Sequence, residues 1–207
     1  KSAEDEGGKS LTPGQMLARL SFWIYFVWNT VMASAGQLVI NSAANIAVFF
    51  GAAAGFGLIV SIFNGAGRPL TGALMDRMGR SRGMLLVNAI LILSALLLLG
   101  ACAVKSALLA LVGMVIVGMC YGSGVTISAK VISDLYGPEH YAVNFSLSNF
   151  CSIPAAFLGP LLSGVLQDRS GGGYTSTFVL LLILAAVALA MFFWMELQIR
   201  RESTRNR

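Results

Sequence analysis

Apolar residues in this chain come in long uninterrupted runs. Residues 91–99 contain one polar side chain, Ser94, among eight apolar ones. The runs lack the period of two that marks barrel strands, so they predict helices. Six are legible, over residues 20–43, 52–74, 84–104, 108–132, 142–166 and 177–197. Each has roughly 20 residues or more, which at about 1.5 Å per residue crosses a hydrocarbon core of about 30 Å.

Composition agrees. Hydrophobic residues make up 57% of the 207 and charged residues 11%, against about 25% charged in soluble domains. The net charge of +5 does not point to nucleic acid, because the cations gather at the ends of the apolar runs. Three cysteines, Cys102, Cys120 and Cys151, lie within the runs and cannot close a disulfide framework or supply metal spacing. With His140 as the sole histidine, neither a Cys/His metal site nor a histidine triad is expected. No cofactor is called for. A membrane-embedded enzyme would need a nucleophile with its base, paired carboxylates or a metal motif at membrane depth, and none is present.

Lys and Arg positions set the expected orientation. Lys1, Lys9, Arg19, Arg77, Arg80, Arg82, Arg200, Arg201, Arg205 and Arg207 fall on one side, and Lys105 and Arg169 on the other. Ten against two predicts both termini in the cytoplasm, with the chain in the cell (inner) membrane and the lipid bilayer as its surroundings. The division is then a cytoplasmic linker and interfacial helix start over 1–19, a six-helix bundle over 20–198 and a basic cytoplasmic tail over 199–207. Thr12, Pro13 and Gln15 read as a helix start, with Thr12 as N-cap and Gln15 closing a capping box. A polar linker running straight into spans is the pattern of the middle of a longer protein, so the chain is expected to be part of one.

One motif occurs twice. Gly72, Leu74, Asp76, Arg77 and Gly79 follow the second run; Gly164, Leu166, Asp168, Arg169 and Gly171 follow the fifth, each shifted by the same 92 residues. Three spans separate the copies, which predicts a 3+3 inverted repeat, a construction of secondary transporters. In the first copy Asp76 can pair with a cation or cap a helix N-terminus. Arg77, Arg80 and Arg82 can anchor to headgroups, Gly72 can allow close helix approach and Gly79 a tight turn. The expected role is a conformational switch.

The stretch from Gly72 through Asp76, Arg77, Gly79 and Arg80 to Arg82 resembles the signature cytoplasmic loop of the major facilitator superfamily. Residues 11–198 as a whole resemble the C-terminal half of its oxalate/formate exchanger and monocarboxylate transporter branch. Asn64, Arg68 and Pro69, Ser133, Asp134, Tyr136 and Gly137, Asn144 and Phe145, and Gly159 and Pro160 carry that resemblance. It implies an all-α membrane protein whose six transmembrane helices form one half of a twelve-helix fold. The partner would be the N-terminal six-helix half of the same transporter, and the substrate a small carboxylate anion.

Arg68 is the leading substrate-binding candidate. It lies eight residues before Asp76, about 12 Å into the membrane, where an arginine costs about 2.5–3.5 kcal/mol on insertion scales. That depth exceeds its reach to the headgroups, and no carboxylate of the chain lies at similar depth. Its planar fork suits a carboxylate, and in the resembled transporters an arginine here is the expected anion-binding residue. The alternative is a structural arginine bonded to helix carbonyls. Asn64 lies one turn away on the same face; animal-type monocarboxylate transporters would be expected to carry a titratable Asp there. Oxalate exchangers would be expected to place a lysine near Ser152, and its absence favours a monocarboxylate. Asn29, Tyr121, Asn149 and Ser152 are further cavity candidates, and Gln37 and Ser148 are polar residues of the same kind. Most such residues act as helix–helix glue. Lys130 reads as a snorkelling residue paired with Asp134, Gly118 and Gly122 as a packing motif, and Pro154 and Pro160 as bends. A sugar or drug carrier and a self-contained six-helix subunit are the competing readings.

Overall fold

Backbone hydrogen bonds cannot be left open in hydrocarbon, so apolar runs of this length close them internally as helices. The computed structural model describes residues 10–205, and nine helices and no strand occur among them. They are α1 (Pro13–Leu17), α2 (Leu20–Ile40), α3 (Ala43–Phe49), α4 (Phe56–Met78), α5 (Arg80–Val104), α6 (Ala107–Tyr136), α7 (Tyr141–Asn149), α8 (Ser152–Arg169) and α9 (Thr175–Arg205). Residues 1–9 of the expected linker and the last two residues of the chain lie outside the described part.

By length and composition, five stretches among the described residues can cross a membrane: α2, α5, α6, α7 together with α8, and α9. The remaining expected span, α4, has 23 residues but is less apolar, since it carries Asn64, Arg68, Pro69, Asp76 and Arg77. Around the bundle, α4 packs on α6, α6 on α5, α5 on α9, α9 on α2 and α2 on α8, with α2 and α6 also touching. The core runs through Trp28, Leu38, Met84, Leu98, Met114, Ile127 and Phe178, all buried. Large apolar side chains such as Leu58, Ile62, Leu108 and Phe157 point outward, as suits a lipid-facing surface.

The start of the described chain follows its sequence signal. Thr12 N–H donates to Gln15 Oε1 at 3.0 Å, and Gln15 N–H donates to Thr12 Oγ1 at 3.3 Å. The first run ends as α2 at Ile40, a separate helix, α3, follows from Ala43, and the second run becomes α4 only from Phe56. Three further differences follow. The second run continues as helix to Met78, four residues past its expected end, so Gly72, Asp76 and Arg77 are helical. The turn shrinks to Gly79, whose φ of 81° closes α4 and opens α5. The fifth run is interrupted between α7 and α8 at Phe150 and Cys151. Pro154 has no N–H for the carbonyl of Phe150 and its ring crowds that carbonyl; instead Ile153 N–H donates to Phe150 O at 3.1 Å. Third, residues 199–205 of the expected tail extend α9. From there the Glu202 carboxylate accepts from Ser21 N–H at 3.1 Å and from Ser21 Oγ at 2.7 Å, satisfying an open donor at the start of α2.

The repeated motif has a repeated geometry. Asp76 and Arg77 occupy the last turn of α4, Asp168 and Arg169 the last turn of α8. The glycines that follow, Gly79 and Gly171, both take positive φ, 81° and 64°.

Candidate functional site

Four helices place polar side chains around one recess of about 80 Å³. Asn29 reaches it from α2, Asn64 and Arg68 from α4, and Tyr121 and Ser128 from α6. Asn149 comes from the end of α7, while Cys151 and Ser152 lie at the helix break. All six substrate-binding candidates therefore share one wall. The interruption of the fifth run sits on that wall too, where irregular backbone at membrane depth is tolerated.

The close meeting of α4 and α6 sets Asn64 and Arg68 against Tyr121. A Cβ on Gly122 would collide with the Asn64 carbonyl oxygen, one on Gly67 with the Met119 carbonyl, and one on Gly118 would lie 2.7 Å from the Val60 carbonyl. Small residues are what permit such backbone approach between spans. Gly72 has no such duty here: a Cβ there would meet Thr126 Cγ2 at an ordinary 3.7 Å. Thr126 Oγ1 also donates to the Arg68 carbonyl at 3.2 Å.

Arg68 is exposed on the open side of α4, and its guanidinium has no ion-pair partner among the described residues. Among the described residues it is the only charged one lining the recess. Asn64 buries its Oδ1 without a hydrogen-bond partner among the described residues. Asn29 is more committed: its Nδ2 lies 3.0 Å from Ser128 Oγ, 3.0 Å from Cys151 Sγ and 3.3 Å from Tyr25 Oη. Tyr25 donates to Ser128 Oγ at 2.6 Å, and Ser128 donates to the Gly124 carbonyl at 2.9 Å. This side of the wall is stiffened by bonds that no spacing rule in the sequence announces. Tyr121 is held by Gln37, whose Nε2 donates to its hydroxyl at 2.8 Å.

The switch candidates lie further along the same helices. Gly72 and Asp76 line a second cavity of about 280 Å³ with Thr126, Lys130, Ser133 and Tyr141. Lys130 pairs with Asp134 at 3.4 Å, as its i,i+4 spacing predicts. Arg77 is exposed, but Arg80 does not reach for headgroups: its Nη1 lies 2.7 Å from Glu196 Oε1 on α9. Sequence reading missed Glu196, since nothing local ties it to a residue more than a hundred positions earlier.

The family model described as Major Facilitator Superfamily matches residues 11–207. An uncharacterized 38 kDa protein in the 23S RNA operon of Thermoproteus tenax is 24% identical over 183 residues, covering 88% of this chain and 47% of that protein. The chain spans about half the length of this relative.

Proposed function

The chain belongs to the major facilitator superfamily, and on that footing we propose that it is the six-helix half of a secondary transporter for small organic anions, monocarboxylates foremost. The spans act with a second six-helix half, and the recess alternates between the two membrane faces as the halves rock. The cation bias supports cytoplasmic termini, and the cell membrane is the proposed location.

One observation carries the reading. Arg68 stands on a recess between helices with no carboxylate partner among the described residues. An unpaired arginine at this depth is costly, and a substrate carboxylate supplies the missing charge.

The test is Arg68→Gln in the full-length protein, reconstituted in proteoliposomes. The variant is expected to fold and reach the membrane while anion affinity falls about ten- to a hundredfold. That is the loss of a hydrogen bond to a charged group worth about 1.5–3 kcal/mol. Arg68→Lys is expected to restore part of it, because a point charge lacks the planar fork. Near-normal carboxylate affinity in Arg68→Gln would make Arg68 structural and remove the main support.

A further inference from the structure

Tyr121 meets the recess with its hydroxyl already engaged from behind. Its ring lies over Gly36 of α2, where an added Cβ would come 2.5 Å from Tyr121 Cδ2. Only a residue without a side chain lets the phenol lie so close to that helix. Gln37, the next residue, donates from Nε2 to Tyr121 Oη at 2.8 Å. One turn further along, Asn41 Nδ2 donates to Gln37 Oε1 at 2.6 Å. The three side chains form a directed relay from the exposed end of α2 to the recess.

Direction is the informative part. An amide nitrogen can only donate, so in its bond with Gln37 the tyrosine oxygen is the acceptor. In this orientation of the two amides Asn41 occupies the Gln37 oxygen and the Gln37 nitrogen faces Tyr121, whereas the reversed pair would take up the tyrosine proton instead. The phenol's own proton is then unspent, and the recess shared with Arg68 is where it can find an acceptor. An ionised carboxylate only accepts.

We propose that Asn41 and Gln37 are positioning residues that commit the Tyr121 hydroxyl to donating toward the bound anion, making Tyr121 the second anion donor beside Arg68. The inference rests on the anion-carrier reading of this recess. It gives the carboxylate a further donor beside the two that the Arg68 fork can supply. It also assigns a role to two amides that touch no substrate themselves. Polarisation along such a chain strengthens its last donor.

The experiment measures equilibrium binding of radiolabelled pyruvate and formate to the purified full-length protein. Tyr121→Phe is expected to weaken binding about tenfold, the lower end for a hydrogen bond to a charged group. Gln37→Glu keeps the shape of the side chain but only accepts when ionised, so it draws the tyrosine proton away from the recess. It is expected to bind less tightly than Gln37→Leu, and to regain affinity on acidification, when the protonated carboxyl donates as the amide did. In the Tyr121→Phe background, Gln37→Glu is expected to add little further loss.

A packing role for Gln37 gives the opposite order, with Leu worse than Glu and no recovery at low pH. That order would overturn the relay, as would equal affinity in Tyr121→Phe and the parent protein. An undiminished Gln37→Glu penalty in the Tyr121→Phe background would mark simple charge repulsion and overturn it as well. Arg68→Gln separates the two proposals. If it weakens binding while the Tyr121 and Gln37 variants do not, the relay alone fails. If the parent protein binds neither anion, or Arg68→Gln binds both normally, the anion-carrier reading fails and the relay with it.

Discussion

Arg80 and Glu196 form an ion pair, Nη1 to Oε1 at 2.7 Å, that fastens the first residue of α5 to α9. Their side chains are 11% and 17% exposed, so solvent screens the pair little. The single-residue turn at Gly79 is thereby tied to α9 through its neighbour. Glu196→Gln keeps the shape, removes the charge and is expected to destabilise the bundle by about 1.5–3 kcal/mol. Thermal unfolding in detergent reads this as a lower midpoint, and the swap of Arg80→Glu with Glu196→Arg should recover part of it. An unchanged midpoint in Glu196→Gln would mean that the pair contributes nothing to stability.

Gly122 and Gly72 lie on neighbouring helices but should respond oppositely to one added carbon. Gly122→Ala drives its Cβ against the Asn64 carbonyl, and backbone cannot turn aside as a side chain can. It is expected to cost about 1–3 kcal/mol by overpacking and to displace Asn64 and Arg68, weakening anion affinity as well. Gly72→Ala meets only ordinary contact and gains helix propensity, so its melting midpoint should hold or rise. Equal destabilisation by the two variants would contradict the packing described.

Asp76 sits in the last turn of α4, where the helix dipole disfavours an anion by about 0.3–1 kcal/mol. Keeping a carboxylate there suggests a task in another conformation of the cycle. Asp76→Asn is expected to raise the melting midpoint slightly and slow transport, while equilibrium anion affinity stays within about threefold of the parent. The paired measurement is turnover against binding. A large affinity loss with normal turnover would place Asp76 in the binding site instead of the switch.

Counterflow in proteoliposomes can compare anions of different charge. Arg68 is the sole cation among the described residues that line the recess, and Ser152 on the same wall is uncharged. Lactate, pyruvate or formate should therefore compete better than oxalate. Ser152→Lys is expected to narrow that gap. Oxalate as the preferred substrate of the parent protein would refute the charge argument.

The helical state of the apolar runs, the capping box and the candidate residues were all legible in local pattern. Apolar runs must close their own hydrogen bonds, so their helical state needs no tertiary information. The Thr12–Gln15 box is complete within four residues, and the Lys130–Asp134 pair within one turn. Arg68 and Asn64 stood out because burying polar groups in an apolar run is costly. Family membership was also legible, through the stretch from Gly72 to Arg82.

Tertiary structure decided where the helices end and which side chains meet. Hydropathy falls off at Leu74, but backbone bonding continues to Met78 because nothing in Asp76 or Arg77 breaks a helix; only Gly79, with its positive φ, does. Pro154 announced a bend, while the split into α7 and α8 at Phe150 and Cys151 is a three-dimensional outcome of it. The convergence of Asn29, Arg68, Tyr121 and Ser152 depends on glycine contacts between helices distant in sequence. The Gln37–Tyr121 and Arg80–Glu196 bonds have the same origin. Partners separated by 84 or 116 residues share no local period, and only packing can bring them within hydrogen-bond reach.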